Sequence, residues 1–182
     1  ADFLAERYGY THVEKLDFEA AQAICPSPKY VGGTIARTAG HLHPLAYAFG
    51  LARAAAAAGA VIHEETEVLG IIDGAPATIR TAHGTVRAHH VILACNGYLG
   101  GLNGHVAARV MPINNFIAAT EPLGDDAARV LAEDVAVADS RFVLNYFRLS
   151  HDKRLLFGGG ETYGYRFPED IAALVRKPMT EI

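Results

Sequence analysis

The sequence predicts a mixed α/β and α+β fold, with a βα-like first half and a largely antiparallel second half. One observation is a helical pattern that ends at a glycine and is followed at once by apolar residues. Another is a series of three short strand patterns separated by turn residues, and a third is a pair of strand patterns joined by a four-residue turn. At 182 residues, the chain is long enough for one ordinary domain or for parts of two.

Residues 1–30 have an amphipathic, helical character, and Pro26 and Pro28 end any helix there. Residues 30–33, Tyr-Val-Gly-Gly, then predict a short strand that enters a glycine turn. The first residues have the pattern of the C-terminal part of a helix. We therefore expect that this chain is an internal piece of a longer protein.

A helix is predicted from Pro44, because proline is tolerated at the first helical position. Gly59 provides the C-terminal stop. Residues 61–62 then predict a strand, which is typical of a parallel α/β layer. The apolar positions that share one face of this helix are Leu45, Phe49, Ala52 and Ala56.

Three strands over residues 67–72, 77–81 and 85–88 form a predicted β-meander, since turn residues separate them. The meander leads into residues 91–95, a continuous apolar run typical of a strand buried on both faces. Asn96 and Gly97 end that run, and ligands gather at such strand ends in open α/β sheets.

The second half is predicted to be rich in antiparallel strands. Its predicted elements are strands over residues 113–120, 142–149 and 154–157 and helices over residues 125–132 and 169–176. Residues 150–153 form the turn between the last two strands, and three glycines at 158–160 end the last one.

Composition narrows the possible partners. Hydrophobic residues make up 51% of the chain and charged residues 20%, as in a globular protein. The net charge of −4 offers no broad basis for binding nucleic acid or an anionic membrane. The most apolar stretch, residues 42–62, is interrupted and predicts no membrane span.

Cys25 and Cys95 are the only cysteines, and their wide separation favours a reducing compartment, the cytoplasm.

Two histidine pairs raise the question of a metal site. His41 and His43 lack a third ligand at helpful spacing, so we predict that they bind no metal. Their position before the helix favours hydrogen bonding, packing or proximity to a ligand. His89 and His90 are adjacent in a strand pattern and therefore point to opposite faces.

Other chemistries have little support in the sequence. None of the three serines lies in a Gly-x-Ser-x-Gly elbow, and no Walker A motif is present. Tyr146 and Arg148 alternate onto one strand face, where arginine suits a carboxylated substrate. An arginine stacked on a tyrosine in solvent is an equally good interpretation. The same two interpretations, a substrate-binding role and an exposed surface role, apply to Tyr163 and Tyr165, which follow the glycines at 158–160.

Several segments together resemble a known family. These are YVGGTIARTAGHLHPLAYAFGLARAAAAAGAVIHEETEV, TAHGTVRAHHVILACNGYLGGL, ATEPLG and YFRLSHDKRLLFGGGETYG. They resemble, in the same order, the middle of FAD-dependent oxidoreductases of the D-amino-acid oxidase superfamily, especially the gamma-glutamylputrescine oxidoreductase branch. The resemblance covers nearly all of residues 28–170.

The resemblance implies a part of a glutathione-reductase-like FAD-binding domain, with its β-meander, and a largely antiparallel substrate-domain sheet. It assigns residues 44–104 to the FAD-binding domain and residues 1–43 and 105–170 to the substrate domain. Residues 171–182 remain as a C-terminal helix and a truncated end.

The resemblance also implies which residues contact FAD. The valine that meets the adenine side corresponds to Val68, and the remaining contacts come from a strand end near the pyrophosphate and from the glycines on the flavin side. These are Ala94, Cys95, Asn96, Gly97, Gly158, Gly159 and Gly160. The Gly-x-Gly-x-x-Gly phosphate motif is absent from these residues, so we expect this chain alone to bind FAD weakly or not at all and to be inactive.

For the parent protein, the resemblance implies oxidation of a C–N bond in a small amine or amino acid, with electrons passed to oxygen. A gamma-glutamylputrescine-like substrate, and hence polyamine degradation, is implied by the resemblance alone. The sequence assigns no catalytic residue, and the substrate-binding candidates are His41, Tyr146, Arg148 and Tyr163. The alternative is a non-catalytic α/β module that binds a ligand or partner. The oligomeric state is left open.

Overall fold

The structure is a computed structural model that describes residues 1–164 and 166–182. The chain divides into two compact units. We call residues Ala1–Pro44 with Asn114–Ile182 the sheet unit, and residues Leu45–Ile113 the meander unit. In the part of the chain that the structure describes, no helix combines the length and apolar character needed to cross a membrane.

The helices and strands alternate irregularly along the chain. The helices are α1 (Asp2–Tyr8), α2 (Phe18–Ile24), α3 (Pro44–Ala57), α4 (Gly104–Ala107), α5 (Ala127–Val130) and α6 (Ile171–Glu181). The strands are β1 (Val13–Leu16), β2 (Gly33–Ala36), β3 (Val68–Ile72), β4 (Ala77–Thr81), β5 (Thr85–Ala88), β6 (Ile113–Pro122), β7 (Ala136–Ala138), β8 (Tyr146–Leu149) and β9 (Arg154–Tyr163).

A four-stranded sheet with the order β6-β9-β8-β7 organises the sheet unit. Strands β7, β8 and β9 pair antiparallel. Alternate residues of β8 and β9 are buried, and Phe147 stacks on its cross-strand partner Phe157 with ring centres 5.5 Å apart. Helix α6 covers this side with Val175, which is fully buried. The sheet therefore has one face packed on the core and an opposite face carrying the intervening residues.

A small hairpin and a helix lie beside this core. Strands β1 and β2 pair antiparallel, with Val13 opposite Ala36 and Leu16 opposite Gly33. Helix α2 is capped by Asp17, whose carboxylate accepts a hydrogen bond from the Ala20 N–H. The helix buries Ile24 and leads into the core residue Cys25.

The meander unit confirms the predicted antiparallel arrangement β3-β4-β5. Strands β4 and β5 have the predicted bounds, and β3 begins one residue later than predicted. Helix α3 begins at Pro44 as predicted, and Gly59 follows it with a φ of +95°, a conformation that favours glycine.

Two predicted strands of the first half are not formed. Residues 61–62 and 91–95 have no strand structure, and Ile92 is 88% exposed. An apolar run becomes a strand only when a neighbouring strand satisfies its backbone groups. The described residues provide no such partner for these two runs.

Strands at the chain's start also differ from the prediction. Within the predicted helical region 1–30, residues 13–16 form β1, because they pair with β2 across the hairpin. That pairing places β2 at residues 33–36, after the predicted strand at 30–33.

The sheet unit corrects two further boundaries. Strand β8 begins at Tyr146 and not at residue 142, because side-chain bonds close the preceding loop, as described below. The glycines at 158–160 do not end the last strand, and β9 continues through them to Tyr163. Strand β6 begins where predicted and helix α5 lies within its predicted range, whereas α6 continues to Glu181, beyond the predicted end at residue 176, and the short strand β7 was not predicted.

Candidate active site

The candidate active site is the face of the four-stranded sheet that lies opposite the buried core. We call it the outer face. On β7, β8 and β9 it is formed by the residues that alternate with the core-facing Val137, Phe147, Leu149, Leu155 and Phe157. These residues are Ala136, Ala138, Tyr146, Arg148, Leu156 and Gly158.

Tyr146 occupies one cross-strand row of the outer face. Its neighbours are Ala138 on β7 and Gly158 on β9. A β-carbon built on Gly158 would lie 2.1 Å from Cε2 of Tyr146, so the ring rests directly on the glycine. Burial raises the pKa of the Tyr146 hydroxyl above its ordinary value. Tyr146 is therefore a protonated hydrogen-bond donor at neutral pH.

Arg148 occupies the next row, between Ala136 and Leu156. Its guanidinium donates to the carbonyl oxygens of Leu42 and Leu149, each at 3.2 Å. Among the residues that the structure describes, no carboxylate lies within ion-pair distance of Arg148. A guanidinium has five N–H donors. The remaining donors and the uncompensated charge suit a carboxylate of a ligand.

His41 lies next to the residue that accepts from Arg148. Its Nε2 is 3.3 Å from Oδ1 of Asp134, and its side chain is 21% exposed. On the same segment, Arg37 donates to Glu133 at 3.0 Å. The two contacts hold residues 37–42 against the loop before β7, so His41 and the Leu42 carbonyl are both fixed near the outer face.

Asp139 organises the loop that leads into β8. Its Oδ1 accepts from the backbone N–H groups of Arg141 at 3.2 Å and Asn145 at 2.9 Å, and its Oδ2 accepts from Nδ2 of Asn145 at 2.8 Å. The Asp139 side chain is 4% exposed, and its Oδ2 is also 3.4 Å from Nε of Arg141. The loop is closed by these bonds, and they fix the residue immediately before Tyr146.

Tyr163 does not join Tyr146 and Arg148. It is 62% exposed, and its hydroxyl donates to Glu161 at 2.7 Å. This bond to a carboxylate raises the pKa of Tyr163. Tyr163 is five positions after Gly158 on β9, which corresponds to about 16 Å along an extended strand. The other tyrosine singled out in this region, Tyr165, lies outside the described residues.

The three glycines of β9 are covered by other parts of the sheet unit. A β-carbon on Gly159 would lie 3.0 Å from Oδ1 of Asn145, and one on Gly160 would lie 3.1 Å from the side chain of Leu174. Gly160 also has a φ of +77°. With Tyr146 over Gly158, internal packing alone accounts for glycine at all three positions. These contacts concern only the side of each glycine on which a β-carbon would lie, and the FAD contact at Gly158, Gly159 and Gly160 stays a prediction.

The predicted FAD contacts of the meander unit are accessible. Ala94 and Asn96 are exposed, and Cys95 and Gly97 are half-buried. Asn96 has a φ of +49°, and a β-carbon on Gly97 would meet no atom within 4 Å. This turn can therefore be approached closely by a ligand. Val68 is half-buried on β3, an edge strand whose far side has no strand partner among the described residues. Backbone groups at both places fit a cofactor that is held through the main chain.

No metal centre is built from the described residues, where no group of three or more His, Cys, Asp or Glu side chains is placed to hold an ion. His41 contacts Asp134, and His89 and His90 are exposed at the end of the meander.

Sequence patterns did not identify the groups that position the candidate site. Asp134, Asp139 and Asn145 are ordinary loop residues in the sequence, and their partners become neighbours only in the folded chain. The one local signal is the Asp-x-Arg sequence at 139–141, since aspartate often accepts from the backbone two residues on.

Comparison with known proteins adds a family match along almost the whole chain. The model of the family described as "FAD dependent oxidoreductase" (DAO) matches residues 1–181. The chain is 44% identical to a probable oxidoreductase OrdL of Rhizobium meliloti over 177 residues, which cover 97% of this chain and 41% of that protein. It is 40% identical to the gamma-glutamylputrescine oxidoreductase of Escherichia coli over 172 residues, which cover 93% of this chain and 40% of that protein. The chain thus spans about two fifths of the length of these curated relatives.

Two solved structures share the fold. The glycine oxidase of Geobacillus kaustophilus matches with a TM-score of 0.75 at 21% identity, over 97% of this chain and 48% of that one. The glycine oxidase of Bacillus cereus matches with a TM-score of 0.74 at 18% identity, over 98% of this chain and 50% of that one.

Proposed function

Because this chain belongs to the DAO family of FAD-dependent oxidoreductases, we propose that the complete protein containing it oxidises a C–N bond of a small amine or amino acid. The observation that carries the proposal is the family match over residues 1–181. The relative named gamma-glutamylputrescine oxidoreductase supports a substrate that has both an amine and a carboxylate.

FAD is the cofactor of the proposed reaction. When bound, it would supply the hydride acceptor for the oxidation, with dioxygen as the final electron acceptor. In this chain, Val68, Ala94, Cys95, Asn96 and Gly97 are the residues that would contact it, since their backbone is accessible. Gly158, Gly159 and Gly160 of β9 are further proposed contacts, on the flavin side.

The outer face would bind and orient the substrate. Arg148 offers a positive charge without a carboxylate partner among the described residues, and Tyr146 offers a protonated hydroxyl in the next row. The guanidinium binds a substrate carboxylate in two-pronged geometry, while its bond to the Leu42 carbonyl limits its movement. His41, fixed beside Leu42, is a further substrate-side group. Tyr163 stands apart from this group and is kept only as a peripheral candidate.

We also propose that the protein works in a reducing compartment, the cytoplasm. Cys25 and Cys95 are both free thiols in the structure. In such a compartment they would remain thiols.

Peroxide production by the complete gene product tests the proposal. The substrates are gamma-glutamylputrescine, putrescine, sarcosine and glycine, and we expect turnover of at least one amine, with the highest kcat/KM for gamma-glutamylputrescine. If only compounds without an amine are oxidised, or if none is and the protein carries no flavin, the proposal is wrong and a non-catalytic binding module is the better interpretation.

The role of Arg148 is tested separately by the variant Arg148→Lys. This variant keeps the positive charge and removes the guanidinium group, which can donate two parallel hydrogen bonds to a carboxylate. We expect KM for a carboxylated amine to rise by about tenfold or more, and KM for putrescine to change little. Arg129→Lys is the matched control, because the Arg129 side chain is 83% exposed on α5. Equal effects of Arg148→Lys on both substrates would show that Arg148 does not recognise the carboxylate.

A further inference from the structure

A closed ring of contacts in the sheet unit begins and ends at Arg148. On one side, Arg148 of β8 pairs across the sheet with Ala136 of β7. The acidic residues at 133–134, just before β7, contact side chains of residues 37–42, which we call the Arg37 segment. The last residue of that segment, Leu42, accepts a hydrogen bond from the Arg148 guanidinium. The position of the guanidinium therefore depends on every link of this ring.

The Arg37 segment relies on side chains for its position. Its residues form neither helix nor strand, so no sheet pairing fixes the Leu42 carbonyl. The Leu42 side chain is 52% exposed and adds little packing. The carbonyl is therefore held mainly by the side chains that connect the segment to the rest of the sheet unit.

Arg37 makes the principal connection. It directly follows β2, and its Nη1 donates to Oε2 of Glu133 at 3.0 Å. Its Nε is 3.8 Å from Oε2 of Glu14 on β1. The loop that carries Glu133 is itself anchored, because the Ala132 N–H donates to the Ile24 carbonyl at 2.9 Å. Arg37 thus connects the β1–β2 hairpin to the loop before β7.

His41 makes a second and weaker connection. Its Nε2 is 3.3 Å from Oδ1 of Asp134, whose side chain is 85% exposed, so solvent screens this contact strongly. The side chains of Arg37 and Glu133 are 52% and 42% exposed, and their contact is shorter. Arg37 is therefore the better candidate for the residue that fixes the segment.

We propose that Arg37 is a positioning residue for Arg148. It contacts neither substrate nor cofactor, and it acts by holding the Leu42 carbonyl where the Arg148 guanidinium donates to it. The other N–H donors of the guanidinium then face the substrate in one orientation. The consequence for specificity rests on the function proposed above: Arg37 favours amines that carry a carboxylate.

Nuclear magnetic resonance of the arginine side chains in the complete gene product tests the proposal without turnover. The Arg148 signal is assigned by its loss in Arg148→Lys. We expect restricted motion of this guanidinium in the parent protein and faster motion in Arg37→Gln, because the Leu42 carbonyl is no longer held. Arg129→Gln is the matched control, since it also removes an exposed ion pair, the one to Asp126, and should leave the Arg148 signal unchanged.

Peroxide assays of the same variants measure the effect on specificity. Arg37→Gln should raise KM for gamma-glutamylputrescine by about threefold, the size expected for one exposed ion pair, and should change kcat and KM for putrescine little. Arg37→Lys keeps the charge and should recover part of the loss. Adding Asp134→Asn to Arg37→Gln should bring the increase to about tenfold, because both connections of the segment are then lost. A merely structural role would change both KM values and the thermal midpoint together.

The proposal is overturned if the Arg148 signal is the same in Arg37→Gln as in the parent protein. It is also overturned if Arg37→Gln raises KM equally for both substrates, or if it leaves KM for gamma-glutamylputrescine unchanged while Arg148→Lys raises it. Failure of the proposed function gives a different result, because Arg148→Lys itself would then leave that KM unchanged. In that case the resonance comparison alone decides whether Arg37 positions Arg148.

Discussion

The ring of Tyr146 lies on the α-carbon of Gly158, its cross-strand partner, so closely that a β-carbon there would be 2.1 Å from Cε2 of the ring. The contact joins β8 to β9 and fixes the orientation of the tyrosine on the outer face. Glycine at 158 is therefore a requirement of the site's geometry.

The variant Gly158→Ala should displace the Tyr146 ring and destabilise the protein by about 1–3 kcal/mol, the usual cost of overpacking. Urea unfolding measures this change. Gly33→Ala is the matched control, because a β-carbon there meets no atom within 4 Å. Combining Gly158→Ala with Tyr146→Ala should remove the clash, so the double variant should be more stable than the sum of the two single changes predicts. Equal stability of the two glycine variants would contradict the contact.

Asp139→Ala should destabilise the protein by about 2–4 kcal/mol, because it leaves the backbone and side-chain N–H donors of the buried Asn145 without an acceptor. Chemical denaturation gives the free energy of unfolding. Asp73→Ala, at an exposed turn, provides the comparison and should change it by less than about 0.5 kcal/mol. A small effect of Asp139→Ala would show that the loop is held in place by other contacts.

Tyr30 should make stability depend on alkaline pH. Burial raises the pKa of its hydroxyl from 10.0 to about 12 in the folded chain, so between these values the folded state holds a proton that the unfolded state has lost. The stabilisation is complete below pH 10 and is lost as the pH rises towards 12. Free energies of unfolding measured from pH 9 to 12 should fall less steeply for Tyr30→Phe than for the parent chain.

Tyr98→Phe serves as the reference for this pH series, because the Tyr98 side chain is 96% exposed. It should reproduce the parent slope. If Tyr30→Phe does so as well, the Tyr30 hydroxyl is not buried in the folded protein.

The 182-residue chain by itself should purify with little or no bound flavin. The proposed FAD contacts of this chain are limited to Val68, the turn at 94–97 and the glycines at 158–160, and a phosphate-binding Gly-x-Gly-x-x-Gly motif is absent from this sequence. Absorbance in the flavin bands, relative to protein absorbance, decides the question. A yellow protein with one flavin per chain would show that these few contacts are sufficient to bind FAD and would contradict the prediction.

Local patterns predicted the elements whose stability comes from nearby residues. Helix α3 follows from Pro44 and a glycine stop, and the meander follows from turn residues that bring β4 and β5 together within a few positions. The same reasoning failed for residues 91–95, where an apolar run has no neighbouring strand among the described residues. It also failed at 158–160, where Tyr146, Asn145 and Leu174 occupy the space next to the glycines and the strand continues.

The sequence by itself determined the family, through motifs in their order, and it singled out Tyr146 and Arg148 as neighbours on one strand face, because alternation along a strand is a local property. Only the tertiary structure decided what those side chains meet. The pairing of Tyr146 with Gly158 and the bond from Arg148 to Leu42 join residues that are 12 and 106 positions apart. Such contacts depend on how the strands and loops pack together, and no short stretch of sequence specifies them.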